Sequence, residues 1–284
     1  MNPTCEPAAA LLSPGSSIRR FPVRSPTLPP ATHTNVYVAA TVDGQLAVFD
    51  PASPWDDEQA ALDAFLESLP GRVMAVVLTH HHVDHVSGAA HLAARTGAPI
   101  FAHPLTRDLL AGRLAVDRII EEGDVLGFGA GGLRALHTPG HASGHLCFLE
   151  EASRLLIAGD MVASVGTIII DPAPGEGDMR LYLAQLERLR DLGAAQLLPA
   201  HGEPVTDPTA LLSFYLAHRL GRERSIVAAM EHGAATVEQL VPRAYPEVAR
   251  AIYPLAARSL LAHLFKLRDE GRAAEEAEVW RLVG

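Results

Sequence analysis

With 284 residues, 48% of them hydrophobic, the chain is long enough to bury a sizeable core and too apolar to be intrinsically disordered. Acidic residues outnumber basic ones 33 to 23, a net charge of −10 whose averaged field repels nucleic acid and other polyanions. Two cysteines, Cys5 and Cys147, are too few for a disulfide framework and fit a reducing compartment; no run reaches the ~18 apolar residues that a spanning helix needs.

Residues 1–30 are rich in proline and lack apolar periodicity, which predicts an irregular segment. They contain no basic stretch followed by an apolar run, so a cytoplasmic protein with no membrane association is expected. Regular structure is expected to begin with two β-prone runs, Asn35 to Ala40 and Gln45 to Asp50, joined through Asp43-Gly44, a hairpin signal. Helical spacing from Asp56 to Leu69 ends at Pro70-Gly71, and the buried strand Val73 to Leu78 runs directly into Thr79-His80. Further along, helices are predicted around Ser87–Thr96, Leu105–Gly112 and Met179–Leu192. Strands are predicted near Pro99–Ala102, Leu133–His137, Leu146–Leu149, Leu155–Ala158 and Gln196–Ala200. Alternating strands and helices predict an α/β fold of sheets flanked by helices over residues 31–204. Cys147, inside one of these strands, is expected to serve as a small buried hydrophobe.

Composition changes near residue 204. Residues 205–284 carry ten basic and ten acidic side chains, so the whole charge of −10 resides in residues 1–204. Helical patterns at Pro208–Glu231, Thr236–Arg243 and Ala256–Glu270, followed by a β-prone end at Glu278–Leu282, predict a small winged-helix-like module. Covering a cleft or forming a homodimer contact is the expected use of such a module.

The chemistry concentrates in Thr79-His80-His81-His82-Val83-Asp84-His85. Four ligand-type side chains within six residues are too dense for a helical stripe and too polar for ordinary core. Imidazole nitrogens and carboxylate oxygens are suitable ligands for zinc and similar divalent ions, so His80, His82, Asp84 and His85 are candidate ligands. Asp160 and His201 follow directly after buried strands, where loops build sites on a rigid scaffold. His81, between two candidate ligands, is expected to point away from them.

These residues resemble the His-x-His-x-Asp-His motif of the metallo-β-lactamase superfamily. The similarity continues through His141 in Thr138-Pro139-Gly140-His141, Asp160 in Ala158-Gly159-Asp160 and His201 in Pro199-Ala200-His201-Gly202. It implies an αββα sandwich and two divalent metal ions, zinc first, with iron or manganese also suited to the ligand set. By that resemblance His80, His82 and His141 hold one ion, Asp84, His85 and His201 hold the other, and Asp160 bridges them. Asp84 would orient a hydroxide shared by the metals and pass a proton on, while Asp50 and His145 support ligands from behind.

Within the superfamily the chain is similar to the glyoxalase II-like branch with a C-terminal winged helix, the lactamase-like protein 2 type. Thr34-Asn35-Val36-Tyr37, Gly177-Asp178-Met179, and His218-Arg219 with Arg222-Glu223 carry that similarity. That branch includes thioesterases and a group acting on single-stranded RNA, so the resemblance implies hydrolysis but not its substrate. The acidic catalytic domain and the loop Val162–Asp178, whose Val165, Ile168, Ile169 and Ile170 would wall an apolar pocket, favour a thioester or ester of modest size, a small-molecule acyl substrate. Endoribonuclease action on single-stranded RNA, resting on Arg258, Lys266 and Arg268, is the alternative; a catalytically degenerate binding protein of the same fold is a third reading.

Overall fold

The hydrophobic runs of the first half form strands buried on both faces. In the computed structural model, which describes residues 17–283, Val36 and Val38 of one strand join a core with helix residues such as Leu62, Leu66 and Leu92. The alternating Tyr37 and Ala39 join a second core with Leu133, Phe148 and Ile157 of another sheet. A period of two with both sides apolar is the pattern of a sheet covered on both faces.

The first sheet contains β1 (Ile18–Arg24), β2 (His33–Ala40), β3 (Gln45–Phe49), β4 (Arg72–Val77), β5 (Ile100–Ala102) and β6 (Arg118–Ile119), in that spatial order. Its first three strands are antiparallel and the pairs from β3 onward are parallel. Helices α1 (Asp56–Ser68), α2 (Val83–Val86), α3 (Ala89–Thr96) and α4 (Pro104–Leu109) connect them. The second sheet has β7 (Val125–Leu126), β8 (Leu133–His137), β9 (Leu146–Glu150), β10 (Leu155–Gly159) and β11 (Gln196–Pro199) in the order β11-β10-β9-β8-β7. Between the sheets Phe49 meets Phe148 edge-on at 5.0 Å.

Two parallel pairings position the chemistry. Because β3 and β4 run together, with Phe49 opposite Val77, Asp50 and Thr79 emerge side by side. Likewise β10 and β11 are parallel, with Gly159 opposite Pro199, so Asp160 and His201 leave the second sheet at one edge. Asn35 ties the two ends together: its backbone N–H donates to the Ala200 carbonyl at 2.8 Å, and its side-chain amide to the carbonyls of Pro199 and Gly202 at 2.9 and 2.7 Å.

The residues fall into two compact units. The first comprises residues up to Thr138, Gly144–Thr167 and Gly193–Pro208, and includes both sheets. The second comprises Pro139–Ser143, Ile168–Leu192 and the residues from Thr209 on. It contains α5 (Met179–Asp191), most of α6 (Pro208–Met230), α7 (Val237–Ala244), α8 (Tyr253–Asp269) and the hairpin β12 (Ala273–Glu276) and β13 (Val279–Leu282). Trp280, 1% exposed, anchors its core with Leu240, Leu260 and Leu264.

The expected irregular N-terminal segment is corrected over residues 18–24, which form β1. Pro22 masks the strand in the sequence, yet a proline is tolerated on an edge strand because its missing N–H can face away from the ladder. Ile18, Phe21 and Val23 are buried, and Phe21 stacks on Phe65 of α1 at 4.7 Å. The part of that segment before Ser17, with Cys5, lies outside the described residues. Cys147 is a buried thiol, and no helix among the described residues is long and apolar enough to cross a membrane.

Candidate metal centre

Asp50, one residue past β3, organises the histidine-rich loop that follows β4. Its Oδ1 accepts the Thr79 backbone N–H at 2.8 Å, and its Oδ2 accepts the Thr79 hydroxyl at 2.7 Å and His85 Nδ1–H at 2.9 Å. Since the Thr79 hydroxyl gives its proton to Asp50, its oxygen is left to accept from His80 Nδ1 at 2.9 Å. The two rings therefore carry a proton on Nδ1 and direct Nε2 the other way, the usual means of orienting a ligand ring. His80 Nε2 lies 3.0 Å from His82 Nδ1, a spacing that suits one cation held by both nitrogens.

His82 is the N-cap of α2, and the helix places Asp84 and His85 on successive positions of its first turn. Thr34 of β2 holds that turn by donating its hydroxyl to the Asp84 carbonyl at 2.9 Å. His201, two residues past β11, gives its Nδ1–H to the His33 carbonyl at 3.0 Å. Its Nε2 then faces Asp160 Oδ1 at 3.4 Å and Asp84 Oδ2 at 3.5 Å. His85 Nε2 is buried, has no hydrogen-bond partner among the described residues, and lies 3.6 Å from Asp160 Oδ1. Two groups of ligand atoms, His80 with His85 and Asp160, and Asp84 with His85 and His201, each lie within 4.8 Å of one another.

Electrostatics match this geometry. Burial opposes ionisation of Asp84, but His85 and His201 outweigh it and hold the carboxyl at about 2. Asp160, also opposed by burial, is drawn well below the usual carboxylate range by His201 and His85. Burial disfavours a charged His201, yet Asp160 and Asp84 raise it to about 10, and His85 is raised in the same sense by Asp160, Asp84 and Asp50. Buried imidazoles that hold protons only because two ionised carboxylates face them form a site suited to divalent cations. The residues fit a metal centre.

The other expected site residues have these positions. His145 is fully buried and accepts the Asp160 backbone N–H on Nε2 at 3.0 Å, so its Nδ1 proton goes to Thr138 Oγ1 at 2.8 Å. Gly159 permits this approach: a Cβ there would lie 2.5 Å from His145 Nε2. His141, 7% exposed, sits in the Pro139–Ser143 turn of the second unit and gives its Nδ1–H to the Ile169 carbonyl at 2.9 Å, placing its lone pair on Nε2. His81 is buried against the His82 ring. Of the expected pocket wall, Ile168 and Ile170 are 5% and 0% exposed. They therefore anchor their own segment and offer no surface, while Val165 and Ile169 remain half-buried.

Sequence reasoning missed Thr79 as the relay between Asp50 and His80, because a lone threonine before a histidine carries no pattern. It also missed Thr27, whose hydroxyl lies 3.5 Å from His201 Nε2, since the segment around it reads as irregular.

The model for the metallo-beta-lactamase superfamily matches residues 29–201, and the one for the beta-lactamase associated winged helix domain matches residues 236–280. The chain is 26% identical over 244 residues to the beta-lactamase-like protein 2 homolog of Caenorhabditis elegans, covering 84% of this chain and 79% of that protein. It is 28% identical over 226 residues to the atrochrysone carboxyl ACP thioesterase of Aspergillus chevalieri, covering 75% and 70%. Among solved structures, a beta-lactamase domain protein from Burkholderia ambifaria superposes with a TM-score of 0.84 at 22% identity, covering 99% of this chain and 96% of that one. TTHA1623 in a di-iron-bound form is 32% identical, with a TM-score of 0.53 over 70% of this chain and 97% of its own.

Proposed function

Because this chain belongs to the metallo-beta-lactamase superfamily and is a hydrolase of that family, we propose that it is a two-metal enzyme cleaving thioesters or esters of small to medium acyl groups. The observation that carries this reading is the set of ligand-type side chains with oriented rings around two ionised buried carboxylates. His80, His82 and His141 would hold one ion, Asp84, His85 and His201 the other, and Asp160 would be shared. Zinc, iron and manganese all suit such ligands. Divalent ions bound there would supply a water-derived nucleophile at neutral pH and polarise the substrate carbonyl.

The chain's own groups do the rest. Asp84, ionised throughout the physiological range, accepts a hydrogen bond from the attacking water at its carboxylate and moves a proton toward the leaving sulfur or oxygen. Asp50 and Thr79 keep His80 and His85 aimed, and His145 fixes the backbone at Asp160, so these three act as positioning residues. Val83, between His82 and Asp84, is 55% exposed and Leu28, beside Thr27, is 52% exposed. They give an acyl chain apolar surface next to the ligand loop. The thioesterase among the relatives supports the same substrate class.

The ribonuclease alternative loses its basis in the paired charges of α8. Arg258 meets Asp171, Lys266 meets Glu223 and Glu270, and Arg268 meets Asp269 and Glu275. Phosphate binding depends on clustered positive charge free to displace counterions, and these cations already have carboxylate partners. A degenerate binding role fits poorly with a complete ligand set.

The test is a panel of acyl-CoA, acyl carrier protein and glutathione thioesters incubated with zinc-, iron- or manganese-loaded protein. Turnover that disappears on chelation and returns with metal is expected. If no thioester or ester is hydrolysed above the metal-free protein, while a labelled single strand binds with steep salt dependence, the ribonuclease reading replaces it.

A further inference from the structure

We infer that Arg219 of α6 is a positioning residue for His141, a role that rests on the reading of His141 as a metal ligand. His141 lies in the Pro139–Ser143 turn, outside any helix or strand, and the Nδ1–H···O=C bond to Ile169 at 2.9 Å helps to set its orientation. Ile169 itself lies in a stretch without regular secondary structure. Its neighbour Ile168 supplies the anchor, because the guanidinium of Arg219 donates to the Ile168 carbonyl. Arg219 is 3% exposed, so this bond is made away from water, where a charged donor to a carbonyl contributes more than on the surface.

The same guanidinium lies over the Tyr182 ring, 5.4 Å from its centroid. Tyr182 is the other wall of the His141 turn: a Cβ at Gly140 would lie 2.3 Å from the Tyr182 backbone nitrogen, and Asp178, the N-cap of α5, donates its N–H to the Gly140 carbonyl at 3.0 Å. Arg219 therefore touches both elements that grip the turn, the Ile168–Ile169 backbone on one side and Tyr182 on the other. A planar fork that bonds a carbonyl while stacking on a ring is a task for arginine that lysine does not reproduce. Through this one side chain α6 reaches both elements beside the turn that carries His141.

Arg219→Met, Arg219→Lys and His141→Ala, compared with wild type by zinc titration against a chromophoric chelator, test the inference. Circular dichroism and thermal melting report folding. Arg219→Met is expected to weaken one of two metal equivalents by about 10–100-fold, as loss of an outer-shell partner does, and to leave the other unchanged. His141→Ala should weaken the same equivalent more. Wild-type affinity at both sites in folded Arg219→Met overturns the inference, as does an equal loss at both. If His141→Ala itself leaves both affinities intact, the ligand reading fails; if only Arg219→Met does so, the ligand reading stands and the positioning role falls. Should Arg219→Met not fold, Arg219→Lys is judged by the same criterion, a loss confined to one site against none or an equal loss at both.

Discussion

Asp50 adopts φ +50°, a left-handed conformation that disfavours most residues by about 1–2 kcal/mol, while three donors converge on its carboxylate. The conformation points the side chain back at Thr79 and His85, so backbone and ligand geometry are set together. Asp50→Asn isolates the electrostatic part, because asparagine also tolerates positive φ but presents an NH2 to one of the donors. The expected result is a folded protein whose metal affinity falls about 10–100-fold, read by chelator competition; unchanged affinity would remove Asp50 from the support of the site. At this scale the sequence was legible where residues crowd, as in His80 to His85, and illegible where one residue acts through another. Thr79, Thr138 and Arg219 stand in stretches that carry the family resemblance, yet the sequence does not show their roles, which come from the partners that the fold brings to them.

Elements were legible where hydrophobic period and breakers agree. The expected hairpin forms with Gly44 at φ +80°, and the strand expected from Val73 to Leu78, the helix beginning at Met179 and the three C-terminal helices all appear within a few residues of their predicted limits. Strand β1 was hidden because Arg19, Arg20, Pro22 and Arg24 dilute its apolar side, and only pairing with β2 and burial of Phe21 make it a strand. Within the second unit, α6 and α8 are joined by Glu223, which accepts Lys266 Nζ at 2.7 Å and Arg272 Nη1 at 2.8 Å. Burial opposes its ionisation, but His263, Lys266 and Arg272 outweigh it and hold its carboxyl at about 2. A folded-state pKa below the ordinary value means stabilisation present above about 4.5 and lost as pH falls toward 2. Glu223→Gln should lower stability by about 2 kcal/mol at neutral pH, measured by urea unfolding. The difference from wild type should fade as the pH falls through that window; a difference that persists unchanged to pH 2 contradicts the ion-pair account.

Across the whole molecule, charge divides by function: the −10 resides in residues 1–204, and residues 205–284 are formally neutral. Asp269 and Glu270, beside the basic residues in the sequence, already weaken nucleic-acid binding; the pairing of Arg258, Lys266 and Arg268 with carboxylates required the fold. The metal site adds a linkage of its own. In the metal-free protein His201, held at about 10, and His85, raised well above its ordinary value, carry protons at neutral pH, and a cation held by both rings, as proposed, displaces both protons. Metal binding at pH 7 should therefore release roughly two protons and weaken as pH falls, whereas Asp84 contributes none because it is already ionised. Calorimetric titration in buffers of different ionisation enthalpy measures this release, and binding without it would show that these rings are not ligands.

The substrate is the part least visible in the ligand motif, since those residues specify how a bond is cleaved and not which bond. Thioester turnover followed while zinc is added back stepwise to metal-free protein tests the two-metal thioesterase account most directly. It predicts that hydrolysis climbs steeply with the second equivalent of metal and is abolished in His141→Ala and His201→Ala alike. Full activity at one equivalent, or in either variant, would contradict it.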